Sequence, residues 1–169
     1  MLVHGIKQLV SNKKKKVSWR VVESNCKSIC DQIKGDNIVI DNIIGISRGG
    51  LVPASLCAKY LNVRRVYSIG VMSYNDDDDY KDREHNPIIY QCEPMSTHFF
   101  KNTLIVDDIS DKGNTLNFLK QGMLTSPTFF KEARLFTATL YKKKDTGFHP
   151  DYYGSINNDQ WLVFPWSVT

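Results

Sequence analysis

The chain has 169 residues, enough for one domain with a substantial core and too few for two. Its hydrophobic share of 41% excludes a disordered chain, and no apolar run reaches the length of a membrane span. The net charge of +4 is uneven, with basic runs at Lys13–Lys16 and Lys142–Lys144 and an acidic run at Asp76–Asp79.

The N-terminal stretch "MLVHGIKQLVSNKKKK" lacks the basic-then-apolar order of a secretory leader. Its lysine run reads as a solvated face rather than a nucleic-acid patch. Residues 17–34 carry apolar side chains at helical spacing, and Ser18 suits the N-cap. Residues 38–47 read as a buried strand region. Arg48-Gly49-Gly50 turns the chain, and residues 51–61 read as a helix with Pro53 in its first turn. Residues 64–74 are strand-like.

Residues 75–98 are polar, acidic and irregular, the mark of a functional lid or a disordered loop. A strand follows over 101–109, then a helix from about Gly113 to Gln121, then a strand over 132–143. The tail is aromatic and short-stranded. Alternating strands and helices predict one α/β domain over residues 1–169, with a mainly parallel sheet flanked by helices.

Cys26 and Cys30 share a helical face, but no His or Cys pair completes a zinc site at the usual spacing. Together with Cys57 and Cys92 they read as reduced thiols, which suits a cytoplasmic protein. Cys57 reads as core.

In open α/β sheets, ligands bind beyond the carboxyl ends of the strands. Ser47–Gly50, Ser73-Tyr74 and Asp107–Thr115 all fall at such ends. In "TLIVDDISDKGNTL" (103–116), a buried-looking strand runs into Asp107, Asp108 and Asp111 and then into a helix start. Gly113 permits a tight path, and amides at a helix start favour a phosphate. Ser110 and Thr115 add hydroxyl donors. Asp107 and Asp108 have the wrong sign for that phosphate; they suit sugar hydroxyls or a hard cation such as Mg²⁺. A phosphate next to a ribose with Mg²⁺ meets both demands.

The segment "LIVDDISDKGNTL" resembles the signature of the type I phosphoribosyltransferases, the binding loop for phosphoribosyl pyrophosphate (PRPP). It departs at Lys112, where Thr is usual, and at Asn114, where a small or basic residue is common. The stretch "IIGISRGGLVPASLCAKYLNVRRVYSIGVMSY" and the tail "DQWLVFPW" resemble the 6-oxopurine branch of that family, typified by bacterial xanthine-guanine enzymes. The tail corresponds to a base-covering hood, over about residues 151–169.

That resemblance implies roles. Arg48-Gly49 would bind pyrophosphate, in a loop where the family often has a cis peptide. Asp107 and Asp108 would read the ribose, directly or through Mg²⁺. Ser110, Asp111, Lys112, Gly113, Asn114 and Thr115 would form the PRPP loop. Asp111 would lie beside purine N7 as general base, and Lys143, rather than its neighbour Lys142, would bind the 6-oxo group. Trp161 would stack on the base, with the Leu162 carbonyl on the base edge.

Residues 75–98 would form the mobile loop that closes over PRPP, starting at Ser73 and Tyr74, with Lys81 and Arg83 as contacts. Asp76–Asp79 fits poorly against a pyrophosphate. Ser167 stands where relatives tend to carry an acid. The implied activity is Mg²⁺-dependent transfer of phosphoribose from PRPP to guanine, xanthine or hypoxanthine in purine salvage, by a homo-oligomer (dimer or tetramer). The alternative is a regulator of the same fold that binds PRPP or a nucleotide without catalysis.

Overall fold

A computed structural model describes residues 14–72, 87–92, 102–125 and 134–167. Eight strands and three helices lie among them, in the order β1 (Lys14–Lys16), α1 (Trp19–Gly35), β2 (Asn42–Ser47), α2 (Leu51–Leu61), β3 (Arg65–Met72), β4 (Ile88–Cys92), β5 (Asn102–Ser110), α3 (Asn114–Thr125), β6 (Arg134–Lys143), β7 (Tyr152–Asn157) and β8 (Trp161–Val163). Six strands form one sheet in the order β4-β3-β2-β5-β6-β7. All its pairings are parallel except β3–β4 at the edge.

The helices form where sequence periodicity places them. Ser18 caps α1, its Oγ accepting from the Val21 amide at 3.4 Å. Val22, Cys26, Ile29, Cys30 and Ile33 are fully buried at a period near 3.6, so one stripe of α1 faces the sheet. Helix α2 ends in a left-handed Asn62, after which the Val63 amide returns to the Ala58 carbonyl at 2.9 Å.

Helices α1 and α2 cover one face of the sheet, packing on Ile43, Leu104, Val106, Ala138 and Leu140. Leu116, Leu119 and Met123 of α3 join Ile44, Ile46, Ile105 and Leu135 in a second core. Cys26, Cys30 and Cys57 meet between α1 and α2 as free, buried thiols. Contacts with Cys26 and Cys30, and then burial, push the Cys57 thiol well up. Cys92 is exposed.

Two expectations change. The stretch 75–98 is not irregular throughout, because Ile88–Cys92 forms strand β4, antiparallel to β3. Ile88, Ile89 and Tyr90 favour a pleated backbone once β3 offers a free edge. The lysine run is solvated as expected, but Lys14–Lys16 is a strand, paired in parallel with Trp161–Val163. Lys15 lies over the ring of Tyr141, 5.7 Å from its centroid, which seats this two-stranded hood on the main sheet. Among the described residues no helix is long and apolar enough to cross a membrane.

Candidate functional site

The parallel register brings three strand ends together. Gly45 of β2 pairs with Val106 of β5, and Val106 pairs with Ala138 of β6. Beyond those pairs the chain leaves β2 as Ser47-Arg48-Gly49, β5 as Asp107–Asp111 and β6 as Lys142-Lys143. The turn after β2 contains a cis peptide between Ser47 and Arg48. Arg48 is exposed, and Gly49 lies so close to Asp108 that a Cβ there would overlap the carboxylate.

Asp107 and Asp108 sit at the exit of a buried strand. Burial, then the neighbouring Asp108 charge, pushes the Asp107 carboxyl well above the usual range, although its Oδ1 accepts the Asp108 amide at 2.9 Å. Burial also raises Asp108, opposed by the Trp166 indole N–H, which donates to Oδ2 at 3.4 Å. No cation pairs with either acid among the described residues. Two adjacent, partly desolvated carboxylates without a counter-charge fit a divalent cation. Among the described residues no third acid, His or Cys completes a metal cluster with them. That suits Mg²⁺, which commonly takes one or two carboxylates and completes its shell with substrate phosphate oxygens and water.

The loop from Asp111 to Thr115 opens α3. Gly113 has φ +82, and its carbonyl accepts the Asn117 amide at 3.0 Å, so it stands as the N-cap. A Cβ on Gly113 would come within 2.5 Å of Phe148 Cβ. Amides of the first helical turn have no intrahelical acceptor and are the natural anion donors. Lys112 and Asn114 are exposed and Thr115 half-buried.

Ser110 departs from its expected role as a hydroxyl donor to ligand. It is 1% exposed, its Oγ donates to the Phe148 carbonyl at 3.1 Å and lies 3.2 Å from Thr146 Oγ1. That hydroxyl braces the 144–148 segment instead. Gly147 donates its amide to the Lys112 carbonyl at 3.1 Å, so the same segment supports the loop from beneath. The sequence carried no signal for Thr146 or Phe148, since their partners lie on another strand's exit.

Lys143 reaches the loop from β6. Its Nζ lies 2.6 Å from Asp111 Oδ1 and 3.7 Å from Asp159 Oδ1. Hydrogen bonding to Asp111 raises the Lys143 pKa against the opposing effect of burial. Lys142 goes elsewhere, lying 4.0 Å from the centroid of the Tyr153 ring and 3.5 Å from His149 Nδ1. Trp161 is 62% exposed in the hood, whereas Leu162 packs partly on the core. Trp166 stacks on Phe164 with centroids 5.0 Å apart and leans on Trp19 at 5.8 Å.

The structure thus brings Arg48, Gly49, Asp107, Asp108, Asp111–Thr115 and Lys143 to one end of the sheet. Ser73, Tyr74, Lys81, Arg83 and the Asp76–Asp79 run lie outside the described residues. Asp159, and the Trp166 bond to Asp108, escaped the sequence reading. "NNDQW" looks like an ordinary turn, and a tryptophan near the C-terminus does not announce its partner.

The family described as phosphoribosyl transferase domain matches residues 17–169. The xanthine-guanine phosphoribosyltransferase of Cereibacter sphaeroides is 30% identical over 156 residues, covering 90% of this chain and 86% of that protein. The enzyme of the same name from Idiomarina loihiensis is 27% identical, covering 94% and 89%. The crystal structure of a purine phosphoribosyltransferase from Pyrococcus horikoshii is similar with a TM-score of 0.73 and 29% identity, covering 93% of this chain and 95% of that one.

Proposed function

The chain belongs to the phosphoribosyl transferase domain family, and from that premise we propose that it transfers phosphoribose from PRPP to a 6-oxopurine. The products would be a nucleoside 5′-monophosphate and pyrophosphate, a reaction of purine salvage. The observation that carries this reading is the Lys143–Asp111 pair, held 2.6 Å apart beside the opening of the anion loop. A protein that only sensed PRPP would need neither a base-side acid nor a cation for an oxo group.

In this reading the phosphate end of PRPP lies on the first-turn amides of α3, with Thr115 adding its hydroxyl. Asp107 and Asp108 take the ribose hydroxyls and would hold Mg²⁺. When bound, the metal neutralises charge on the pyrophosphate. Arg48 and the Gly49 amide bind that leaving group. Gly49 has no side chain to keep it from Asp108, so the two anion-handling loops close to contact distance.

The purine lies on Trp161, with its 6-oxo oxygen on Lys143 and N7 beside Asp111. Its N9 lone pair forms the bond to C1′ as the bond from C1′ to pyrophosphate breaks. The N7 proton passes to Asp111. Lys143 then faces a carbonyl rather than its own salt-bridge partner, so substrate binding exchanges one charged hydrogen bond for two. Assembly as a homo-oligomer belongs to the same reading.

Pyrophosphate release tests it, with PRPP, Mg²⁺ and hypoxanthine, guanine, xanthine, adenine, uracil and orotate in parallel. Release with 6-oxopurines alone is expected. Tight PRPP binding without release for any base would establish the non-catalytic regulator instead.

A further inference from the structure

We propose that Trp166 is a positioning residue for the PRPP site, whose indole N–H fixes the rotation of the Asp108 carboxylate so that it meets the ribose and its metal in one orientation. The proposal rests on the role given to Asp108 above. The terminal torsion of an aspartate is broad and roughly two-fold, so nothing within Asp108 itself sets the plane of its carboxylate. Two neighbours supply the restraint, and both act on the same atom. The Trp166 N–H donates to Oδ2 at 3.4 Å. The turn after β2 closes on that oxygen from another direction, since Oδ2 is the first atom that a Cβ on Gly49 would strike. The carboxylate cannot turn without giving up the first neighbour or pressing on the second.

The indole is itself held. It stacks on Phe164 with centroids 5.0 Å apart and 7° between planes, and it leans on Trp19, the first residue of α1, at 5.8 Å. Phe164 is buried and meets Tyr141 of β6 edge-on at 6.0 Å. The chain that carries the indole is closed into a tight turn. Ser167 donates its amide to the Phe164 carbonyl at 3.0 Å, and its Oγ accepts the Phe164 amide at 3.1 Å. The Val163 carbonyl accepts the Val17 amide at 2.9 Å, which ties the same segment to the chain entering α1.

The chemistry of the indole suits the task. Packing on Phe164 and Trp19 would be served by any large aromatic ring, but only the N–H answers Asp108. An indole donates and does not accept, so it offers the metal no competing ligand. It is also neutral, so it brings no fixed positive charge to rival a divalent cation between the two acids. A lysine or arginine in its place would hold the carboxylate and oppose the metal.

The test uses Trp166→Phe, which keeps the ring and removes the donor, with Asp108→Ala and the double variant. Trp166→Phe should raise the KM and the calorimetric Kd for Mg²⁺-PRPP by about tenfold, the lower end for a hydrogen bond to a charged group because 3.4 Å is long. The KM for the base and the denaturant midpoint should stay close to wild type. In the Asp108→Ala background, Trp166→Phe should add no further loss, because the two residues act through one bond. A second measurement needs no ligand. The Trp166 indole N–H resonance, assigned by its absence in Trp166→Phe, should move upfield in Asp108→Ala. Unchanged PRPP affinity in Trp166→Phe, an equal loss in both backgrounds, or an indole resonance indifferent to Asp108→Ala overturns the proposal and leaves the transferase reading standing. Wild type that binds PRPP and transfers to no base, with the Trp166→Phe effect on PRPP affinity intact, overturns the transferase reading alone.

Discussion

Lys143 Nζ lies 2.6 Å from Asp111 Oδ1, joining the end of β6 to the loop that opens α3. The side chains remain 30% and 55% exposed, so the pair is open to solvent and adds little to stability. Its use is chemical: an acid and a cation held ready on one edge of a flat substrate. Asp111→Asn keeps the shape and removes the proton acceptor. Turnover should fall by roughly 10²–10⁴-fold with PRPP affinity nearly constant. Steady-state kinetics beside calorimetric PRPP titration separates the two. Lys143→Met should raise KM for 6-oxopurines and erode their preference over adenine.

Asp107→Asn should stabilise the protein in the absence of PRPP and impair PRPP binding. The folded-state pKa of Asp107 lies well above its unfolded value, chiefly through burial. The folded state therefore holds the extra proton, and stability falls as pH rises from the unfolded pKa through the folded one. At neutral pH the charged acid opposes folding. Replacing it with Asn should raise Tm by about 2–4 °C for each kcal/mol relieved and flatten the decline above pH 4. Adding Mg²⁺-PRPP should raise Tm of the wild type and fail to do so for the double variant Asp107→Asn, Asp108→Asn. Scanning calorimetry with and without ligand reads both effects, and a lower Tm for ligand-free Asp107→Asn would contradict the first.

Gly113→Ala tests the loop geometry. At φ +82 an alanine is strained, by about 1–3 kcal/mol. Its Cβ would also press on Phe148. Denaturant unfolding should show at least that loss, and PRPP affinity should fall with it because the α3 amides shift. The companion Phe148→Ala, Gly113→Ala keeps the Cβ and backbone atoms of residue 148 that the new Cβ meets, so it should recover neither stability nor PRPP affinity.

Asp151 lies just before β7 and ties α3 to the middle of β6. Its carboxylate accepts the Thr137 amide and hydroxyl, each at 2.8 Å, and pairs with Lys120 of α3 at 2.9 Å. Burial opposes its charge, but Lys120 and Thr137 outweigh that and hold its pKa below the usual value. The folded state binds this proton less than the unfolded one. The stabilisation is therefore present above the unfolded pKa and lost as pH falls through the folded one. Asp151→Ala should cost about 1–3 kcal/mol at neutral pH. The cost should vanish in strong acid, as urea midpoints across pH 2–7 would show.

Thr139 offers a contrasting case. It is fully buried on β6, beside Asp107 in register, and its hydroxyl has no hydrogen-bond partner among the described residues. Removing a lone buried hydroxyl leaves nothing unpaired, so Thr139→Val should be neutral or stabilising by about 1 kcal/mol. A clear loss of thermal stability would show that the hydroxyl is bonded after all.

Helix α1 was legible because Val22, Cys26, Ile29, Cys30 and Ile33 repeat at helical spacing and Ser18 precedes them. Strands β2 and β5 were legible as apolar runs, since strands covered on both faces need no polar alternation. Strand β1 was not, because three exposed lysines carry no periodicity and pair only where β8 presents its backbone. Strand β4 was hidden for a similar reason, five residues inside a polar stretch and stabilised by the edge of β3. Ser110 was misread because a hydroxyl in a ligand loop looks like a donor to ligand until Thr146 and Phe148 are seen behind it.

The amino-acid order alone determined that a buried strand ends in three acids, that a glycine follows, and that a helix then starts with free amides. These are properties of neighbours in the chain, governed by side-chain period and backbone freedom. Tertiary structure decided the pairings: Asp111 with Lys143, Asp108 with Trp166, and Asp159 within 3.7 Å of the same Lys143. The order β5-β6-β7 and its parallel register set those meetings. Register is a collective result of how three strands bury their apolar faces together, so no local stretch of sequence contains it.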